Sequence, residues 1–192
     1  MTRGYFGIGV EGVDKAMNLG SLVRSAHAFG ASFVFTVAAT ARVEDARSDT
    51  ANSAERVPFY SFVSVESMRL PEGCRLVGIE LTDDAVELPS FRHPRLAAYV
   101  LGGERRGLTP ALLARCADVV RIPTRFSINL GTAGAIVMYD RLLSTRRFAD
   151  RPVRPGGPVE TLPPHVFGAP LRRRERRTAA SVTKPAPDGD QQ

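Results

Sequence analysis

Cysteine, histidine and long apolar runs are all scarce in this chain, and each shortage removes a class of protein. Cys74 and Cys116 are its two cysteines, far apart in sequence. They make neither a metal motif nor a redox pair, and reduced thiols in a cytoplasm are the reading that fits. The three histidines, His27, His93 and His165, are scattered, which argues against a zinc site. No run approaches the ~20 apolar residues of a membrane helix. The opening MTRGYFGIGV is too short and too weakly apolar for a secretory leader. The expectation is a cytoplasmic protein with no metal and no membrane.

What is present is one domain's worth of chain, 192 residues, with a formal charge of +6 and a pI near 10.0. Such a balance favours an anionic partner such as nucleic acid. The excess is uneven. Residues 1–150 hold 18 basic and 16 acidic groups, a surplus of +2, and residues 151–192 hold 8 and 4, a surplus of +4. The latter stretch also has eight prolines and the cluster RRRERR at 172–177. No apolar period survives beyond Leu171, so 151–192 reads as a basic tail, disordered from about residue 172. The arginine cluster is either a solvated charge run or a loose nucleic-acid arm.

Before residue 150, strand-like and helix-like segments alternate. YFGIGVEG, SFVFTV, FYSF, GCRLVGIEL, AAYVLGGE and DVVRIP read as strands. Residues 18–30 and 130–148 read as helices, and VESMRL as a short one. TPALLARC opens with Thr at a cap and Pro at the first helical position. Alternation of this kind predicts an α/β fold: a mostly parallel sheet with helices on both faces. GIGVEG at 7–12 matches the dinucleotide pattern G-x-G-x-x-G. Asp14 to Asn18 intervene before the next apolar period, and no acid closes the following strand, so a nicotinamide enzyme is disfavoured.

Three segments follow strands, where ligands bind in open α/β sheets. In NLGSLVRSAHAFG (18–30), Arg24 points away from the apolar face into a clearing of Gly20, Ser21 and Ala28, with His27 beside it. A solvated arginine needs no clearing; one that meets a ligand does. LGGERRGLTP (101–110) sets a lone Glu104 among glycines, and RIPTRFSINLGTAGAIVMYD (121–140) leads Ser127 and Asn129 into a helix with a small-residue start. Asn18, Ser127 and Asn129 also suit helix caps, and Glu104 also suits a loop carboxylate paired with Arg105 or Arg106.

In this order, N-x-G-x-x-x-R-x-A-x-x-F-G, G-x-E-x-x-G-L and I-P-x…S-x-N-x-x-x-A resemble the SpoU (TrmH-like) family of RNA ribose methyltransferases, in the SPOUT superfamily, over about residues 4 to 148. The resemblance implies a C-terminal deep trefoil knot, S-adenosylmethionine as cofactor, a homodimer, and methylation of a ribose 2′-hydroxyl in tRNA or rRNA. It implies catalytic roles for Arg24, Asn18, Glu104, Ser127 and Asn129. Gly102, Gly103, Ile122, Ile128 and Leu130, with Leu81, would hold the cofactor. Arg24, Arg105, Arg106 and Arg125 would meet RNA. Two positions depart from the family: Gly131 stands where many relatives have serine, and Arg105-Arg106 where glycine is common. The rivals are a base-nitrogen methyltransferase, which the motif-one arginine opposes, and a non-catalytic RNA-binding protein, which Gly131 keeps open.

Overall fold

Seven short runs rich in valine, isoleucine, leucine and phenylalanine become the strands of one sheet. The computed structural model describes residues 4–42 and 55–146, with 148, 151 and 155–157. The chain divides into units Met1–Phe148 and Ala149–Gln192. The expected tail, with RRRERR, lies almost wholly outside the described residues. The strands are β1 (Tyr5–Glu11), β2 (Phe33–Val37), β3 (Phe59–Phe62), β4 (Arg75–Ile79), β5 (Val86–Glu87), β6 (Leu96–Gly102) and β7 (Asp118–Arg121). The helices are α1 (Ala16–Phe29), α2 (Pro110–Leu113) and α3 (Leu130–Thr145). The sheet order is β3-β2-β1-β6-β4-β7-β5, and every pairing is parallel.

A parallel sheet must be covered on both faces. On one, Ile8, Val10, Val77 and Tyr99 lie under α1 and α3, which contribute Leu19, Leu22, Val23, Val137 and Met138. On the other, Phe33, Phe35, Ala98 and Val100 lie under Val65, Met68, Leu108 and Leu112, the last from α2. Gly7 and Gly9 belong to this second face. A Cβ at Gly7 would stand 2.3 Å from the Phe33 ring, and one at Gly9 2.5 Å from the Phe35 carbonyl oxygen. The two glycines let aromatic rings lie flat across β1. That is what the G-x-G spacing is for, and it removes the last support for a dinucleotide turn.

Two local expectations fail. VESMRL is a turn, not a helix. Ser64 and Ser67 bond each other's backbone amides at 3.1 and 3.3 Å, giving the chain an alternative to helical hydrogen bonds. The two-residue β5 was not foreseen, being too short to show a period. Among the described residues no helix is long and apolar enough to cross a membrane.

Parallel registry puts the carboxyl ends of the central strands on one rim: Glu11 lies opposite Gly102, and Ile79 opposite Leu101 and Val120. From that rim α3 runs back across the sheet and is anchored at its far end. The buried Arg141 guanidinium donates to the carbonyls of Pro94 (2.5 Å) and Arg95 (3.0 Å) and to the Tyr99 hydroxyl (3.1 Å). It lies 5.0 Å from the centre of the Phe6 ring. His93 is 2.6 Å from the Tyr99 hydroxyl through Nδ1 and 2.9 Å from Asp140 through Nε2. The Asp140 carboxylate can only accept, so Nε2 carries the ring proton, and with burial opposing a second proton Nδ1 accepts from the Tyr99 hydroxyl. His93 is therefore a neutral imidazole. Burial holds its pKa below the usual value, against the pull of Asp140, and burial pushes Tyr99 up to about 12.

This arrangement sets a pH dependence. A histidine whose folded pKa is depressed contributes in full above its unfolded value of about 6.5, and the contribution is lost as pH falls below that value and through the folded one. Urea midpoints measured at pH 7.5 and 5.5 should drop toward the acid side, and His93→Gln should flatten the drop. An unchanged slope in the variant would mean that His93 is not the group responsible.

Candidate active site at the strand ends

The loop after β6 is built by close contact. Gly103 and Gly107 face each other as an antiparallel bridge, with Gly107 N donating to Gly103 O at 3.1 Å. Gly107 adopts φ +65°, which favours glycine, and a Cβ there would stand 2.5 Å from Glu80 Oε2. A Cβ at Gly103 would stand 2.6 Å from the Gly12 carbonyl oxygen. The loop is thus pressed between the end of β1 and the residue that follows β4.

Two carboxylates hold it there. Glu80 accepts from Leu108 N at 2.8 Å through one oxygen and from Leu81 N at 3.0 Å through the other. Buried Glu11 accepts from Thr109 N and from the Thr109 hydroxyl, both at 2.7 Å. The same hydroxyl accepts from Leu112 N at 3.2 Å and so caps α2. Successive amides, Leu108 and Thr109, are each fixed by an acid from a different strand end, and bonds of this charge-assisted kind are the stronger ones.

A second set of bonds joins the three motif segments. Asn129 is the cap of α3; its Oδ1 accepts from Gly131 N (2.9 Å) and Thr132 N (3.3 Å). Its Nδ2 donates to Asn18 Oδ1 at 2.9 Å, and Asn18 Nδ2 donates to Glu104 Oε1. Asn18 is 5% exposed. It is the third residue of α1, where Lys15 holds the cap position without a side-chain bond, so Asn18 is no cap. Arg105 reaches Asp14 at 3.1 Å and ties the same loop loosely to the approach to α1.

The loops after β4, β6 and β7, with the start of α3, enclose a cavity of about 390 Å³. Its apolar walls come from Ile79, Leu101, Ile122, Ile128, Leu130 and Ala133. Gly102, Gly103 and Gly107 supply bare backbone, and Glu80, Glu104, Arg105, Arg121, Thr124, Ser127 and Asn129 are the polar contributors. Leu81 also lines it and is half exposed. Of the residues singled out from sequence, Asn18, Arg24, Arg106 and Arg125 are not among the lining; Asn18 meets it only through its bonds to Glu104 and Asn129. Arg24 is exposed, on the solvent side of α1. Part of its clearing has another purpose: a Cβ at Gly131 would stand 2.9 Å from Ser21 Cβ and 3.3 Å from Asn129 Oδ1. Gly131 therefore lets the first turn of α3 close onto α1, and a serine there would push the helices apart. Glu11 and Glu80 were not foreseen, and Thr109 was read only as the cap of α2, which it is; an acid directly after a parallel strand, as in GIEL, was the available signal for Glu80. Among the described residues no group of His, Cys, Asp and Glu could hold a metal ion. The Cys116 thiol, pushed up to about 11 by burial and by Glu11, is no nucleophile.

A sequence profile of the SpoU rRNA Methylase family matches residues 6–139. A mouse tRNA (guanosine(18)-2′-O)-methyltransferase is 29% identical over 140 residues, which are 67% of this chain and 9% of that protein. An uncharacterized tRNA/rRNA methyltransferase of Archaeoglobus fulgidus is 30% identical over 149 residues, 72% of this chain and 65% of that one. The chain thus spans less than two thirds of either relative. Among solved structures, the SpoU methyltransferase AviRb of Streptomyces viridochromogenes in complex with AdoMet matches with a TM-score of 0.65 and 25% identity, over 76% of this chain and 61% of that one. An AdoMet-bound rRNA methyltransferase of Sinorhizobium meliloti shares the fold, with a TM-score of 0.68 at 22% identity, over 76% and 59% of the two chains.

The Glu104–Asn18–Asn129 chain makes a non-additive prediction. Asn18→Ala and Asn129→Ala should each cost about 1 kcal/mol, the first by removing both bonds of the buried Asn18 and the second by stranding its carbonyl oxygen and uncapping α3. The double variant should cost clearly less than the sum of the two, since the second change removes partners already lost. Urea unfolding of the four proteins checks this, and strict additivity would show that the three side chains do not act as one unit.

Proposed function

The chain belongs to the SpoU rRNA Methylase family, and from that premise we propose that it transfers a methyl group from S-adenosylmethionine to a ribose 2′-hydroxyl of tRNA or rRNA. One observation carries the reading. Two motif segments, distant in sequence, line a single cavity through Glu104 and Asn129, and the third is joined to both by the hydrogen bonds of Asn18.

The lining suits the cofactor. Ile122, Ile128, Leu130 and Ala133 offer apolar walls to a flat purine, and bare backbone at Gly102 and Gly103 offers close approach. Glu80 and Glu104 bring two carboxylates to a sulfonium cation, beside Arg105 and Arg121 in the same lining. The cofactor, when bound, supplies an electrophilic methyl group. The protein's part is to hold the sugar oxygen in line, exclude water and manage a proton. Asn18 holds Glu104 in one orientation, and Asn129 holds Asn18. Ser127, exposed at the cavity, is placed to hydrogen-bond the ribose. Guanidinium stays protonated, so the role assigned to Arg24 is electrostatic: it stabilises the alkoxide that develops at the 2′-oxygen.

Arg24 does not line its own protomer's cavity. The reading therefore extends to a homodimer in which each copy brings Arg24 to the other's pocket. Exposed Met17 on α1 and Tyr139 and Leu143 on α3, with the Phe29–Tyr139 ring contact at 6.4 Å, supply an apolar surface for that pairing. The reading also takes in the family's deep trefoil knot, supported by the way loops 102–109 and 122–129 close on one cavity. Arg105, Arg106 and Arg125 are assigned to RNA phosphates. The non-catalytic alternative loses ground because Gly131 has a packing reason and removes no member of the hydrogen-bonded chain.

Incubation with methyl-labelled S-adenosylmethionine and total RNA should yield label in alkali-resistant dinucleotides. Label on a base nitrogen, or none at all from a preparation that binds the cofactor, would overturn the reading. Arg24→Lys should lower kcat on the order of 100-fold. Arg24→Ala and Glu104→Gln proteins, each inactive alone, should regain activity when mixed and re-associated. Failure to complement would place Arg24 outside the partner's pocket.

A further inference from the structure

The loop from Ile122 to Asn129 lines the cavity through Ile122, Thr124, Ser127, Ile128 and Asn129, while Pro123, Arg125 and Phe126 do not face it. Phe126 is 75% exposed, the most exposed phenylalanine among the described residues. Burying such a ring is worth about 2 kcal/mol, so a turn that displays it forgoes that gain. The display is held in place. Thr124 N donates to Ile122 O at 2.7 Å, and the Thr124 hydroxyl donates to the Phe126 carbonyl at 2.9 Å. A tight turn results, with Phe126 at its outer side, one peptide unit (about 3.8 Å between Cα atoms) from cavity-lining Ser127.

The surroundings say what could cover the ring. Its chain neighbours are Arg125 and Ser127, both exposed. Arg105, whose side chain is 82% exposed, and Arg121 both line the cavity that this loop borders. A lone aromatic on a polar, cationic rim does not make the contiguous apolar patch that a protein partner needs. It does match single-stranded nucleic acid, where bases stack on aromatic side chains while arginines take the phosphates. We propose that Phe126 is a stacking platform for an unpaired nucleobase of the RNA substrate, at or beside the nucleotide whose ribose enters the cavity. This rests on the methyltransferase reading and adds to it a residue for substrate recognition. Being on the outer rim, Phe126 has no part in holding the cofactor.

The test uses the full chain and two probes: a labelled single-stranded 12-mer RNA of mixed sequence, and the same 12-mer with abasic positions, followed by anisotropy. Phe126→Ala should bind the intact 12-mer at least about tenfold more weakly, and Phe126→Trp should retain affinity. Wild type and Phe126→Ala should bind the abasic 12-mer alike. With total RNA as substrate the alanine variant should raise KM for RNA and leave kcat and S-adenosylmethionine affinity, measured by calorimetry, near those of the wild type. Wild-type RNA affinity in Phe126→Ala overturns the inference. So does a changed molar mass by light scattering, which would make the ring a contact between copies. Wild-type protein that binds the cofactor and RNA while the variant matches it sinks the inference alone; wild-type protein that binds neither sinks the methyltransferase reading beneath it as well.

Discussion

The side chain of Asn129 can face only one way, and much of the site follows from that. Its oxygen must accept from the first amides of α3, because a helix start leaves those donors without partners. Its NH2 group is then committed to donate outward, and Asn18 must present its oxygen to it. The Asn18 amide has its own NH2 left, which a carboxylate satisfies best, and Glu104 is there. No asparagine in the series can flip without stranding a neighbour. The direction of every proton is set by a backbone helix rather than by a choice among side-chain rotamers. Bonds in such a chain polarise one another, and the stakes are highest at Asn18, its buried member.

What makes such a chain useful is where its members come from. Asn18 opens α1, Glu104 follows β6 and Asn129 opens α3, so the bonds lock two helices and one loop at the rim of a sheet. The sheet keeps its own strand ends in register, and α3 is fixed at its opposite end by Arg141 and the neutral His93. The helix is therefore clamped twice, once by charge-assisted bonds deep in the protein and once at the cavity. Gly131 serves the same end. By letting α3 settle on Ser21, it brings Asn129 near enough to reach Asn18, which a serine at that position would oppose.

Much of this was open to reading along the chain, but unevenly. β1, β2, β4, β6 and β7, and the helices α1 and α3, announce themselves through apolar runs and 3.6-residue spacing, which are local properties. VESMRL fails because the serine pair that bends it competes with the helix on equal terms, and pattern alone does not weigh them. The glycines of β1 look like a turn motif until Phe33 and Phe35, strand neighbours from across α1, are laid over them. The motif residues at the cavity could be named because their types and order resemble a family. Their bonds could not, since Asn18 meets residues 86 and 111 positions away. Glu80 and Glu11 escaped for the same reason: each looks like an ordinary charged residue at a strand end until the amides of Leu108 and Thr109 arrive from another loop.

The charges show how a nearly balanced fold can still present both signs at one site. Residues 1–150 carry a surplus of only +2, from 18 basic and 16 acidic groups, so net charge does little. Position does more. Acids and arginines share the cavity lining, Glu80 and Glu104 with Arg105 and Arg121, and Arg125 is exposed on the same loop as Thr124 and Ser127. Two of those arginines are paired, Arg105 with Asp14 at 3.1 Å and Arg121 with Glu87 at 3.3 Å, but both pairs are solvent-facing. An exposed pair is worth at most about 1 kcal/mol, so either arginine can leave its partner for a phosphate at little cost. The acids are different: Glu80 is held by two backbone amides and Glu104 by Asn18, and neither can swing away. Anchored acids beside loosely paired arginines let one cavity present charge of either sign at different points of its lining.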